Sequence, residues 1–197
     1  MRIAILLDPL SSIKTYKDST YAMMVEATRR GHEVHVFEQH ELSVARAQVG
    51  ATLRRLHLTG DANDWYRLDA PSHQPLAAYD AVLNRKDPPV DMEYVYTTFL
   101  LERAQAAGAR VFNDAAAVRS HNEKLAITEF PQFTAPTLVT RSADRLRAFV
   151  DEHGEAVFKL LDGMGGASIF RASRGDANLS VIIETMNQFG ARSVMAQ

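Results

Sequence analysis

The sequence predicts an α/β protein, with a mainly parallel sheet over residues 1–119 and a smaller α+β lobe over residues 120–197. Three observations carry this. Strand-like and helix-like patterns alternate through the first half, the alternation breaks near residue 120, and a glycine-rich stretch, "KLLDGMGGASIF" at 159–170, separates two short β-forming runs in the second half. Alternating strands and helices favour parallel pairing, because each helix carries the chain back to the same end of the sheet.

The elements follow in order. "RIAILL" (2–7) reads as a first strand, since only five apolar residues precede Asp8 and Pro9, too few for the apolar core of a signal peptide. "DSTYAMMVEATRRG" (18–31) reads as a helix with Asp18 as N-cap and Gly31 as its stop, and "EVHVFE" (33–38) closes a first βαβ unit. A second unit runs from "DAVLNR" (80–85) through "DMEYVYTTFLLERAQAAG" (91–108) to "ARVFN" (109–113). Asp91 can cap its helix, Gly108 can stop it, and Tyr96, Leu100 and Ala104 recur at helical spacing. Residues 39–79, which hold the single tryptophan, show no steady period beyond a hairpin signal around 52–58.

Beyond residue 119, Ser120 and Glu123 stand at capping-box spacing and open a helix over 120–130. "PTLVT" (136–140) is strand-like, and "SADRLRAFVDEHG" (142–154) is a helix. "AVFKLL" (156–161) and "ASIFRA" (167–172) can pair as a hairpin with the glycine loop at its tip. After a helix near 177–189, the chain stops within a last strand-like run, "RSVMAQ" (192–197). The expectation is a polypeptide cut inside a domain, its last strand offering an unpaired edge.

Composition narrows the function. Of 197 residues 46% are hydrophobic, enough for a globular core, and 22 Lys and Arg against 24 Asp and Glu give a net charge of −2 with no basic block. That argues against nucleic acid as a partner, and no apolar run suggests a membrane. Without cysteine there is no disulfide, thiolate metal site or cysteine nucleophile, which fits a cytoplasmic protein. The seven histidines are scattered, with no metal-binding spacing beside a carboxylate, so the sequence offers no zinc site.

The glycine loop is not a P-loop, which needs Lys-Ser or Lys-Thr straight after its last glycine, and it does not run into a helix as a dinucleotide fingerprint does. It does free backbone N–H groups for close approach to an anion, and Ser168 adds a hydroxyl. A plain hairpin turn is the alternative. Lys159 shares a strand face with Val157 and Leu161, so its ammonium either meets an anion or snorkels to water. Lys124, in the first turn of the expected helix, sits where the helix dipole disfavours a cation by roughly 0.3–1 kcal/mol; an anionic ligand would offset that, and a solvated lysine is the other reading. Ligands of parallel sheets lie beyond the carboxyl ends of the strands, which singles out "DPLSSIK" (8–14) and "RKDPP" (85–89).

These motifs resemble those of the prokaryotic glutathione synthetases, which are ATP-grasp ligases. The resemblance spans the chain: "DP" (8–9), "KDS" (17–19), "EATRRGHEV" (26–34), "NRKDPP" (84–89), "NEKL" (122–125), "TLVTR" (137–141), "KLLDGMGGASIFR" (159–171) and "MAQ" (195–197). It implies a Rossmann-like pre-ATP-grasp domain at 1–119, then the first lobe of an ATP-grasp domain at 120–197. It also implies ATP-dependent joining of γ-glutamylcysteine to glycine through an acyl phosphate, in a cytoplasmic homo-oligomer. By the same resemblance Lys124 and Lys159 bind ATP phosphates, and Gly163, Met164, Gly165, Gly166, Ala167 and Ser168 form the covering loop. Gln197 begins the adenine-side hinge, and Ser12 and Arg85 face γ-glutamylcysteine. Mg²⁺ or Mn²⁺ accompanies ATP, with metal ligands expected beyond Gln197 in a second lobe, so the 197-residue chain alone is expected to be inactive. The alternatives are an ATP-grasp carboxylate-amine ligase for another acid, or a noncatalytic nucleotide-binding or assembly module.

Overall fold

A computed structural model describes every residue except Ala62 and Ala167 and forms two compact units, Met1–Asp87 with Asp91–Ser120 and Pro88–Val90 with His121–Gln197. In the first unit β1 (Arg2–Leu6) pairs in parallel with β2 (Glu33–Phe37) and, on its other side, with β7 (Ala81–Asn84), which pairs in parallel with β8 (Val111–Phe112). Two helices cover this centre. Met24 of α1 (Ser19–Arg29) packs with Ile3, Ile5 and Val34, while Leu101 and Ala104 of α2 (Met92–Ala106) pack with Ala4, Leu6 and Val82. Successive residues of β1 thus enter different cores, as a strand buried on both faces requires.

Both helices begin where the sequence places a cap. Asp18 Oδ1 accepts from Thr20 N at 2.7 Å and Tyr21 N at 3.0 Å, and Asp91 Oδ1 accepts from Tyr94 N at 2.8 Å. Each cap contributes roughly 0.5–2 kcal/mol. Along α2 the buried stripe is Tyr94, Thr97, Thr98, Leu101 and Ala104, whereas Tyr96 is exposed. Two threonines enter the core because their hydroxyls donate back to the helix, Thr97 to Glu93 O at 2.9 Å and Thr98 to Val95 O at 2.6 Å.

Residues 42–75 add an antiparallel part that makes the whole sheet mixed. β3 (Leu42–Ala45), β5 (Tyr66–Leu68) and β6 (Ser72–Pro75) all pair antiparallel with the long β4 (Gln48–Leu58), which itself joins β2 through Val36↔Arg54. Gly50 is required here, since a Cβ would lie 2.8 Å from Gln74 O and 2.9 Å from His73 Nε2. Trp65 is buried beside Tyr21 of α1, edge to face at 5.2 Å. A last short helix, α3 (Ala115–Ser120), ends the unit.

The second unit is an antiparallel sheet of β9 (Leu138–Thr140), β10 (Glu155–Leu160), β11 (Phe170–Ser173) and β12 (Val194–Ala196), in the order β11-β10-β12-β9. One face, with Ala156, Phe158, Val194 and Ala196, packs under α4 (Ala143–His153) and α5 (Leu179–Asn187) through Leu146, Val150, Ile183 and Met186. Two expectations fail in this unit. Segment 120–130 is not an α-helix: Ser120 ends α3, Asn122 takes over as the capping side chain, and only a 3₁₀ turn at Ala126–Glu129 follows. Pro131 and the β-branched Ile127 and Thr128 leave little helix to propagate. The expected unpaired edge at 192–197 is also absent, because β12 is buried between β10 and β9, and Gln197 exchanges backbone hydrogen bonds with Val157 at 3.1 and 2.8 Å.

Candidate functional site

The sheet face of the second unit opposite its helices carries Lys159 on β10 and, directly across on β12, Met195. Above them opens a cleft of about 440 Å³. Lys159, Leu160, Met195 and Gln197 line it along the sheet, with Glu123, Lys124 and Ile127 from the 3₁₀ segment and Gly163, Met164, Gly165, Gly166 and Ile169 from the glycine loop. Seven residues singled out from the sequence for phosphate or adenine binding therefore share one cleft. Ser168 is not among its lining residues, and Ala167 lies outside the described residues.

The strand alternation that buries Ala156 and Phe158 among the helices sends Lys159 the other way. Its ammonium donates to Gln197 Oε1 at 2.5 Å, and Gln197 Nε2 donates on to Thr137 Oγ1 at 3.0 Å. Lys124 Nζ donates to Gly163 O at 2.5 Å. Both ammoniums thus rest on neutral oxygens, and neither takes part in an ion pair among the described residues. Two partly buried cations with neutral acceptors make a cleft suited to an anion with several negative oxygens.

The loop has the backbone such a ligand needs. Gly165 and Gly166 adopt φ of +66° and +79°, where a Cβ would be strained although nothing stands within 4 Å of it. Three consecutive residues at its root are tied down: Asn122 Nδ2 donates to Leu161 O at 2.9 Å, Arg192 Nη2 to Asp162 Oδ1 at 2.5 Å, and Lys124 Nζ to Gly163 O. Sequence reasoning missed the first two tethers, as well as Ile127, Leu160, Met195 and Ile169. Of these, only Met195 had a usable signal, its alternation with Val194 and Ala196 in a β-forming run.

In the first unit the loops after β1 and β7 lie at the carboxyl ends of parallel neighbours. Ser12 is exposed in a 3₁₀ turn and donates to Pro9 O at 2.7 Å. Arg85 donates to Thr20 Oγ1 at 3.0 Å and Ser19 Oγ at 3.4 Å, at the start of α1. Beside it Lys86 pairs with Asp8 at 2.7 Å. Burial, then the carboxylates of Asp8 and Asp18, push the Asp87 carboxyl above its usual range, against Arg85 and Lys86. Burial likewise raises the Tyr94 phenol.

A parallel-centred α/β unit together with an antiparallel lobe, whose glycine hairpin and two lysines line a cleft, defines an ATP-grasp protein. Solved structures agree on the fold: a RimK domain ATP-grasp protein from Sphaerobacter thermophilus aligns with TM-score 0.63 at 22% identity over 100% of this chain and 63% of that one. D-alanyl-alanine synthetase A from Vibrio cholerae aligns with TM-score 0.59 at 16% identity, over 100% and 59%. Residues 1–119 match the family model "Prokaryotic glutathione synthetase, N-terminal domain" and residues 123–197 that of "Prokaryotic glutathione synthetase, ATP-grasp domain"; the chain belongs to the prokaryotic glutathione synthetase family. Among curated relatives, the glutathione synthetase of Ralstonia nicotianae is 54% identical over 197 residues, covering 100% of this chain and 61% of that protein. That of Vibrio parahaemolyticus is 46% identical, covering 100% and 62%. The chain therefore spans a little over three fifths of the length of these relatives.

Proposed function

We propose that this chain provides the substrate-facing and nucleotide-binding parts of a glutathione synthetase, a cytoplasmic homo-oligomer that joins γ-glutamylcysteine to glycine with ATP. A cysteinyl carboxylate oxygen attacks the γ-phosphorus and ADP departs. The glycine amine then attacks the acyl carbon, the C–O bond to phosphate breaks, and the amine loses a proton. Such chemistry depends chiefly on positioning and charge neutralisation. Lys124 and Lys159 neutralise phosphate charge, and the loop at 163–168 covers it with backbone N–H groups. Gln197 borders the adenine side, and Ser12 and Arg85 face γ-glutamylcysteine. The observation that carries the reading is the pair of ammoniums in one cleft, each on a neutral acceptor, in a chain of this family.

ATP enters as its Mg²⁺ or Mn²⁺ complex, the metal supplying charge neutralisation at the phosphates. No three His, Cys, Asp or Glu side chains gather into a metal site among the described residues, so no step here runs through a metal ligand of this chain. We also propose residues 1–119 and 120–197 as its domains, and that the 197-residue polypeptide binds ATP without forming glutathione. Calorimetric titration with ATP, followed by phosphate release with γ-glutamylcysteine and glycine, tests both statements. Absence of any heat or thermal stabilisation by ATP would overturn the nucleotide reading, and turnover by this polypeptide would overturn its proposed inactivity. In the complete protein, preference for another carboxylate in a panel of acids would move it to a different ATP-grasp ligase.

A further inference from the structure

We infer that Asn122 is a positioning residue that holds the two lysines and the glycine loop in one register; this rests on the nucleotide reading of the cleft. Its amide works at both ends. Oδ1 accepts from Lys124 N at 3.1 Å and Leu125 N at 3.0 Å, fixing the turn that carries Lys124. Nδ2 donates to Leu161 O at 2.9 Å. Leu161 stands just past the end of β10, where pairing with β12 stops at Leu160↔Val194, so a side chain takes over from the ladder at the root of the loop. Lys159 lies two residues back on β10, where its backbone pairs with Met195 of β12. One neutral side chain therefore sets the spacing between the two cationic groups.

A second bridge joins the same segments, Lys124 Nζ to Gly163 O at 2.5 Å, but it uses the ammonium that a phosphate would claim. Asn122 does not line the cleft, so its bonds need not be given up to a ligand and persist when the nucleotide arrives. The position calls for asparagine specifically. Serine can cap the turn but is too short to reach Leu161 as well, and aspartate has no donor for that carbonyl.

The test compares Asn122→Ser with Asn122→Ala in the full chain, reading melting temperature and ATP dissociation constant separately. Serine keeps the cap and loses only the bond to Leu161 O, so its melting temperature should fall by no more than roughly 4 °C and by less than that of alanine, while ATP binds about three- to tenfold more weakly, as for alanine. ATP affinity for the serine variant within twofold of the unsubstituted protein would overturn the inference. So would an affinity loss that vanishes on cooling well below a lowered melting temperature, which would assign it to unfolding. If the unsubstituted chain binds no ATP, the nucleotide reading fails first and this inference with it.

Discussion

Replacing Lys159 by methionine separates a binding lysine from a structural one. The side chain keeps its length and loses its charge, on a strand hydrogen-bonded to neighbours on both sides. What the fold loses is one hydrogen bond of 2.5 Å from the ammonium to Gln197 Oε1. Gln197 retains its bond to Thr137 and both backbone bonds to Val157, and its freed oxygen borders the cleft. A half-buried ammonium is exchanged for an apolar thioether, which offsets part of that loss. The net cost to folding should stay below about 1 kcal/mol, or less than roughly 4 °C in melting temperature for a chain of this size.

Binding should respond very differently. A charge-assisted contact to a phosphate is worth about 1.5–3 kcal/mol, which corresponds to roughly 10- to 150-fold in ATP affinity. Calorimetry with ATP and a thermal melt on the same sample read the two quantities independently. An ATP affinity within twofold of the unsubstituted chain would refute the assignment, and a large fall in melting temperature would show that Lys159 serves the sheet instead.

Gly165→Val should impair the nucleotide-dependent step more than folding, because φ of +66° disfavours a β-branched residue by about 1–3 kcal/mol while nothing packs against the position; a large drop in melting temperature with unchanged ATP affinity would mark it as a purely structural turn. Gly50→Ala should do the opposite, lowering stability by roughly 1–3 kcal/mol because the new Cβ meets the Gln74 carbonyl at 2.8 Å, with ATP affinity unaltered once folded; denaturant titration checks it, and an unchanged midpoint would show that β6 yields freely. Asp87→Asn should stabilise the protein near neutral pH. Since the folded pKa of Asp87 lies above its ordinary 3.8, the native state holds a proton that the unfolded state has lost, and stability falls as pH rises through that interval. The gain in melting temperature from the substitution should be small in strong acid and rise to a plateau at higher pH; a pH-independent difference would contradict the burial argument.

The elements legible in the sequence are those whose signals are local. Asp18 and Asp91 each accept from backbone N–H groups two or three residues on, so cap and helix start are read from one short window. β4 was obscure because its burial changes phase. Val49, Ala51 and Leu53 enter the core beside α2, while Leu56, with Leu58 packed against it, serves the core beside α1. A strand that shows one face to each core in turn has no constant period, and its partners are set by non-local pairing. In the cleft, lysines and clustered glycines stand out by type. Ile127 looks like any core residue and Asn122 like any turn residue, while Met195 is marked only by its alternation with Val194 and Ala196.

The failure of the expected helix at 120–130 alters why the cleft should attract an anion. A cation in the first turn of a long helix would have been opposed by aligned peptide dipoles, and relief of that opposition was the case for a ligand at Lys124. The 3₁₀ turn at Ala126–Glu129 is four residues long and begins after Lys124, so it supplies no comparable macrodipole and that cost disappears. What remains is the pairing of two ammoniums from separate segments, brought into one cleft and each satisfied only by an uncharged oxygen. A carbonyl or an amide satisfies a donor without neutralising its charge, and like charges sharing a partly buried site repel. A polyphosphate answers both needs at once, because its oxygens replace the neutral acceptors and its charge screens one ammonium from the other. Affinity then depends on how far apart the two lysines are held, and so on the residues that join their segments rather than on the end of a helix.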